Sequence, residues 1–210
     1  GEKLHFSYVP GGESPEGYPA SWILVNGSGI FNIPVDYFSR AVFGDANWDW
    51  RTFNFGSDEK LAMHRTGNIL EATNPNLDVF QNNGSKLLLY HGWNDPLIAP
   101  EGTIAYYESI VGNTAQTMPQ NALATTADYA RLFMVPGMGH CSGGPGTDKF
   151  NMQSAMEAWV EQGEAPAMIP ASHTQDGNVT MSRPLCAYPQ TARYDGSGDT
   201  NDISNFSCSQ

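Results

Sequence analysis

A chain of 210 residues is long enough to bury a sizeable core and ordinarily makes one domain, at most two. Its 40% hydrophobic and 15% charged residues describe a globular protein poorer in charge than average, and its 22 Gly and 14 Pro describe one rich in loops. A net charge of −12 argues against nucleic acid or an anionic membrane surface as partner, since a row of phosphates would go unneutralised, and no apolar run approaches the roughly 20 residues of a membrane span.

Residues 1–30 are rich in Gly, Pro and Ser with aromatic residues between, and read as loop. Asn32 can cap a helix that carries Pro34 in its first turn, where a missing N–H costs nothing. Ile33, Tyr37, Phe38, Ala41 and Val42 fall on one face of it. Residues 45–55 make an aromatic loop holding Trp48, Trp50, Phe53 and Phe55, and a second helix is expected over about residues 58–70.

The run Lys86-Leu-Leu-Leu-Tyr90 suits a strand covered on both faces, as in a parallel sheet. A helix opens at Pro100, turns Ile104, Tyr107, Ile110 and Val111 inward, and is expected to stop at Gly112. Arg131-Leu-Phe-Met-Val135 is the next strand, closed by Pro136. Met152, Ala155, Met156, Trp159 and Val160 then form a helical stripe, ended by Gly163 and Pro166. The order strand, helix, strand, helix predicts an α/β fold with a parallel sheet and flanking helices.

Each of the two strands runs into a loop with chemistry in it. His91-Gly92-Trp93-Asn94-Asp95-Pro96-Leu97-Ile98 follows the first, and Gly137-Met138-Gly139-His140-Cys141 follows the second. Open α/β sheets place their sites beyond the C-terminal ends of strands. An acid after one strand and a histidine after the next is the tail of an α/β-hydrolase triad, whose chain order is nucleophile, acid, base. A serine hydroxyl needs a histidine to take its proton and a carboxylate to hold the imidazole in the right tautomer, so Asp95 and His140 are the candidate acid and base.

Each residue also has a plainer reading. Asp-Pro forms turns without any catalysis, and a lone histidine in a Gly-rich loop is usually just polar loop. No G-x-S-x-G elbow precedes Asp95. Ser142, in Cys141-Ser142-Gly143-Gly144, lies two residues after His140, too close for that ring to turn and face it. His91, Asp95 and His140 together suggest a metal, but no H-E-x-x-H or similar ligand spacing is present, and no metal is expected on this chain. His5, His64 and His173 have no supporting context.

Three cysteines, Cys141, Cys186 and Cys208, leave an odd one. In a secreted chain that implies a free thiol or a bond to another chain. Cys186 and Cys208 flank a polar, Gly-rich tail that a disulfide between them would pin, leaving Cys141 unmatched. Four N-x-S/T sequons, at Asn26, Asn83, Asn178 and Asn205, lean towards a secreted glycoprotein.

Taken together, Tyr90-His91-Gly92-Trp93-Asn94-Asp95-Pro96-Leu97-Ile98, Pro136-Gly137-Met138-Gly139-His140-Cys141, and the tail from Arg183-Pro184-Leu185-Cys186 through Asp199-Thr200-Asn201-Asp202 to Cys208 resemble the tannase/feruloyl esterase family of secreted carboxylic ester hydrolases. The resemblance extends over essentially the whole chain, but matches only the C-terminal part of a family member. It implies an α/β-hydrolase fold completed by an N-terminal partner chain of the same precursor. Residues 1–30 then end a lid domain, and residues 31–210 are the C-terminal part of the catalytic domain.

The resemblance further implies Asp95 as triad acid and His140 as base. It implies Cys141 bonded to a cysteine beside the serine on the partner chain, and Cys186 bonded to Cys208. The serine and a calcium site in the lid would lie on the partner chain, with no cofactor on this one. The implied substrates are small phenolic acid esters, with gallate esters preferred to hydroxycinnamate esters because of the two-chain inference. Leu97 and Ile98 are expected as one apolar wall of the pocket. Two rival readings stand beside this one: a hydrolase-derived binding module without catalysis, and a lipase-like enzyme using Ser142.

Overall fold

In the computed structural model, which describes Phe6, Tyr8, Val9 and residues 33–210, contacts divide the chain into two units. One takes in the described residues 33–74; the other holds Phe6, Tyr8, Val9 and residues 75–210. The expected Asn32 cap and the sequon at Asn26 lie outside the described residues, as does His5.

In the smaller unit, helix α1 (Ile33–Asp36) continues as looser π-helical turns over Tyr37–Phe43. It ends where Gly44 takes a left-handed φ of 68° and returns its N–H to the Ser39 carbonyl. The apolar face is narrower than the sequence suggests: Val42 is fully buried, whereas Ile33 and Ala41 are exposed. Phe38, Phe43, Trp48 and Phe53 pack as rings, with centroids 4.7 Å apart for Phe38 and Phe53 and 4.9 Å for Phe43 and Trp48. The expected helix over residues 58–70 forms as α2 (Asp58–Ala62), π-helical Met63–Gly67 and α3 (Asn68–Leu70). Tyr37 and Thr66 join it to the first helix through a 2.6 Å hydroxyl–hydroxyl hydrogen bond.

The larger unit starts with the short α4 (Asp78–Asn82) and then strand β1 (Leu87–Gly92). Helix α5 (Pro100–Ala115) follows, then α6 (Ala122–Ala127), which the sequence did not reveal, and strand β2 (Ala130–Val135). β1 and β2 pair in parallel, Leu87 opposite Ala130 through Gly92 opposite Val135. α5 is the crossover between them, the βαβ connection parallel strands require.

β2 is buried on both faces, and the period-2 alternation of a strand assigns its residues. Ala130, Leu132 and Met134 pack with Tyr107, Ile110 and Tyr129 on the α5 side. Phe133 and Val135 pack with Met138, Ile169, Ala171 and Leu185 on the other. The second edge of β2 is covered too, since the Tyr188 N–H donates to the Leu132 carbonyl at 2.8 Å. β1 differs from expectation. Its leucines are only partly buried and Tyr90 is half exposed, because among the described residues no strand pairs with its outer edge.

Gly112 does not stop α5. The helix runs on to Ala115, with Thr114 buried and its hydroxyl accepting from Thr126 at 3.0 Å. A glycine costs a helix up to about 1 kcal/mol, but ends it only by taking a left-handed φ. Gly163 does so, with φ 75°, and ends α7 (Met152–Glu157) after its π-helical continuation Ala158–Gln162. Trp159 is the buried anchor there, whereas Val160, expected on the same stripe, is exposed.

Beyond the parallel pair the chain turns antiparallel. β3 (Lys149–Phe150), β4 (Met168–Gln175) and β5 (Asn178–Cys186) form one sheet; β6 (Thr191–Tyr194) and β7 (Phe206–Ser209) form a ribbon. A two-residue turn with positive φ at Asp176 and Gly177 joins β4 to β5. Cys186 and Cys208 are disulfide-bonded with Cα atoms 5.6 Å apart, tying β5 to β7. Among the described residues no helix is long and apolar enough to cross a membrane.

Candidate active site

β1 and β2 end side by side, so the loops that leave them start as neighbours. They are stitched by backbone hydrogen bonds from Trp93 N–H to the Val135 carbonyl and from Asn94 N–H to the Met138 carbonyl, both 2.9 Å. Close approach depends on Gly92, where an added Cβ would stand 2.3 Å from the Met138 carbonyl oxygen. The second loop is folded as tightly on itself. At Gly144, with φ +90°, an added Cβ would meet the Gly137 carbonyl oxygen at 2.2 Å.

Asp95 sits at the top of the first loop, 4% exposed. Its Oδ1 accepts from the Leu97 and Ile98 N–H groups at 2.8 and 2.9 Å, an Asx-type turn. Its Oδ2 points the other way and lies 2.9 Å from His140 Nδ1. Turn formation and a catalytic orientation are therefore not rivals here; each takes one oxygen. Burial pushes the carboxyl pKa up, but the hydrogen bonds from His91, the Ile98 N–H, His140 and the Leu97 N–H outweigh it and hold it well below the usual carboxylate range. Asp95 is thus an anion at neutral pH, and His140 must carry its proton on Nδ1 to donate to it.

His140 is about one-third exposed, whereas the acid beneath it is nearly covered. Its loop is held by Asp148, which no sequence signal singled out. The Gly143 N–H donates to Asp148 Oδ2 at 2.9 Å, and Lys149 Nζ lies 2.8 Å from the same oxygen. His173, which had no supporting context in the sequence, is 3.6 Å from the other oxygen. Cys141 is exposed with an unbonded thiol and a positive φ of 66°. Ser142 is exposed.

Leu97 and Ile98 flank the acid; Leu97 is partly buried and Ile98 more than half exposed. The Tyr8 hydroxyl donates to the Leu97 carbonyl at 3.2 Å, which places Tyr8 beside this loop. Burial and the Asp95 charge together raise the Tyr8 pKa. Asn83 and Asn178 are exposed, but Asn205 is partly buried and its amide donates to the Asp199 carbonyl at 2.9 Å. Among the described residues no group of three or more His, Cys, Asp or Glu side chains is arranged to hold a metal ion.

A buried carboxylate holding a partly exposed imidazole, on the loops after consecutive parallel strands, is an arrangement in which the imidazole can take up a proton and the carboxylate can orient it. Comparison with known proteins gives the lineage. The family model described as tannase and feruloyl esterase matches residues 21–209. The chain belongs to the tannase and feruloyl esterase family. An uncharacterized esterase of Xanthomonas campestris pv. campestris is 36% identical over 99% of this chain and 42% of its own length. The mono(2-hydroxyethyl) terephthalate hydrolase of Piscinibacter sakaiensis is 48% identical over 65% of this chain and 22% of its own. The crystal structure of feruloyl esterase B from Aspergillus oryzae superimposes with a TM-score of 0.73 at 30% identity, covering 83% of this chain and 36% of that one. The chain thus spans about two-fifths or less of the length of these relatives.

Proposed function

We propose that this chain supplies the acid and base of a secreted serine carboxylic ester hydrolase acting on phenolic acid esters, and that the serine comes from an N-terminal partner chain of the same precursor. The observation that carries this is the 2.9 Å contact between His140 Nδ1 and Asp95 Oδ2 on adjoining strand ends. Among the described residues no strand pairs with the outer edge of β1, which supports a further neighbour there, since an unpaired strand edge is where strands add.

In this mechanism His140 Nε2 removes the serine proton as the hydroxyl attacks the ester carbonyl, and Asp95 stabilises the imidazolium through the Nδ1–H bond. The tetrahedral intermediate collapses, and Nε2–H protonates the departing alcohol. Water, deprotonated by the same nitrogen, then releases the acid and restores the serine. Cys141, one residue from the base, would be disulfide-bonded to a cysteine beside the serine, keeping the two loops within the roughly 3 Å that proton transfer needs. A disulfide-bonded chain with exposed sequons at Asn83 and Asn178 suits an oxidising, extracellular setting. A lid calcium on the partner chain belongs to the same proposal, and none of the steps above is routed through it.

Leu97 and Ile98 would present an apolar wall to the aromatic acid. Gallate is the acid suggested by the two-chain inference. Hydroxycinnamate is the second reading, favoured by the likeness to a feruloyl esterase over most of this chain. Rates on methyl gallate, methyl ferulate and mono(2-hydroxyethyl) terephthalate by the assembled enzyme test the class. Turnover of methyl gallate or methyl ferulate supports phenolic esters; turnover of neither contradicts them.

A further inference from the structure

Asp95 touches a second imidazole. His91, near the end of β1, has a side chain only 10% exposed, and its Nε2 stands 3.2 Å from Asp95 Oδ2 and 3.2 Å from the Ile98 carbonyl oxygen. Its other nitrogen, Nδ1, lies 2.7 Å from Thr103 Oγ1 on the first turn of α5. A carboxylate and a carbonyl can only accept, so Nε2 must carry a proton. In the neutral ring Nδ1 is then a lone pair, and the Thr103 hydroxyl, which can donate, meets it.

We infer that His91 is a positioning residue for the proposed ester hydrolysis: Thr103 fixes it as the Nε2–H tautomer, and it shares Asp95 Oδ2 with His140 so that the carboxylate cannot turn away from the base. This rests on the acid–base assignment above. Asp95 has two oxygens and four donors around them: two backbone N–H groups on Oδ1 and two imidazoles on Oδ2. The Asx turn alone would fix Oδ1 and leave Oδ2 to follow small rotations about the terminal torsion, which is soft in aspartate. The second imidazole removes that freedom. Its support comes from α5, the helix that packs on the strands, so the orientation of the acid is set by the buried scaffold rather than by the loop. A misplacement of about 1 Å in a proton-transfer chain can cost about 100-fold in rate.

The test uses the assembled enzyme. His91→Leu keeps bulk but removes the donor, and is expected to lower kcat about 10- to 100-fold with KM nearly unchanged. His91→Gln places an amide N–H where Nε2 was and should recover most of the loss. Thr103→Val should lower kcat in the same direction and Thr103→Ser restore it. His91→Leu/Thr103→Val should be no worse than His91→Leu alone, because the threonine acts only through the ring.

A residue that merely braces the fold would lower thermal stability without this kcat pattern. His91→Leu with kcat within about 2-fold of the parent, or His91→Gln as damaged as His91→Leu, overturns the inference. His140→Ala run beside them separates the two levels. Full activity in His140→Ala sinks the acid–base assignment itself; an inactive His140→Ala with an unimpaired His91→Leu sinks only the role of His91. Should His91→Leu fail to fold, long-range ¹H–¹⁵N spectra of the parent decide: the inference requires the Nε2–H tautomer at His91, and Nδ1–H refutes it.

Discussion

Gly92 lies directly against Met138: a Cβ at Gly92 would stand 2.3 Å from the Met138 carbonyl oxygen and 2.7 Å from that of Gly139, the residue before His140. Backbone carbonyls cannot swing aside as a side chain can, so the two loops would have to part. Gly92→Ala is therefore expected to lower kcat/KM by at least about 10-fold and to destabilise the fold by about 1–3 kcal/mol, the cost of overpacking a close contact. Activity assay and chemical denaturation of the assembled enzyme check both numbers. An alanine tolerated without either loss would mean the loops are not held as described.

The triad roles predict larger effects. His140→Ala and Asp95→Asn should each reduce turnover by about 10⁴-fold while leaving the fold intact, as loss of a triad member does elsewhere. Ser142→Ala should cost little. Steady-state kinetics with circular dichroism as a folding control is the measurement.

Both triad candidates were legible in the sequence because each follows a strongly apolar strand, and β2 in particular is hydrophobic on both faces for a reason the structure makes plain. The plainer turn reading of Asp95 was equally legible: the turn takes Oδ1, and Oδ2 meets His140. His91 was weighed in sequence only as a metal ligand. That the Thr103 hydroxyl meets its ring depends on how α5 packs on β1, which spacing alone does not encode. Asp148 left no signal, since the contact by which it holds the His140 loop is to a backbone N–H. Gly112 misled because composition marks a glycine but not its φ. The Asp176-Gly177 turn was visible in principle, yet β4 and β5 around it carry Pro, Ser, His and Asn in place of clean alternation.

Acid stability should carry the signature of Asp95. Its pKa in the folded protein is depressed, so its ionisation contributes stability that is fully present above the ordinary carboxylate pKa of about 3.9 and is lost as pH falls towards the folded value. Below about pH 4 the parent should lose up to roughly 1 kcal/mol per pH unit more than Asp95→Asn. Denaturant midpoints between pH 7 and pH 3 read the difference. Equal slopes would mean the carboxylate gains nothing from its four donors.

Cysteine and glycan mapping tests the extracellular, two-chain reading. Non-reducing peptide mapping should find Cys186 joined to Cys208 and Cys141 joined to a cysteine outside this sequence. Glycans are expected at Asn83 and Asn178 but not at Asn205, whose amide is already bonded within the fold. A Cys141 crosslink to Cys186 or Cys208, or an occupied Asn205, would count against the structure as described.

In the proposed function this chain supplies the base and acid, and a partner chain supplies the serine. Covalent labelling of the active enzyme with a fluorophosphonate, mapped to the modified residue by mass spectrometry, tests it most directly. A label is expected on one serine outside these 210 residues, lost when His140 is replaced by Ala. A label on Ser142 or any other serine of this chain, or labelling that survives His140→Ala undiminished, would contradict it.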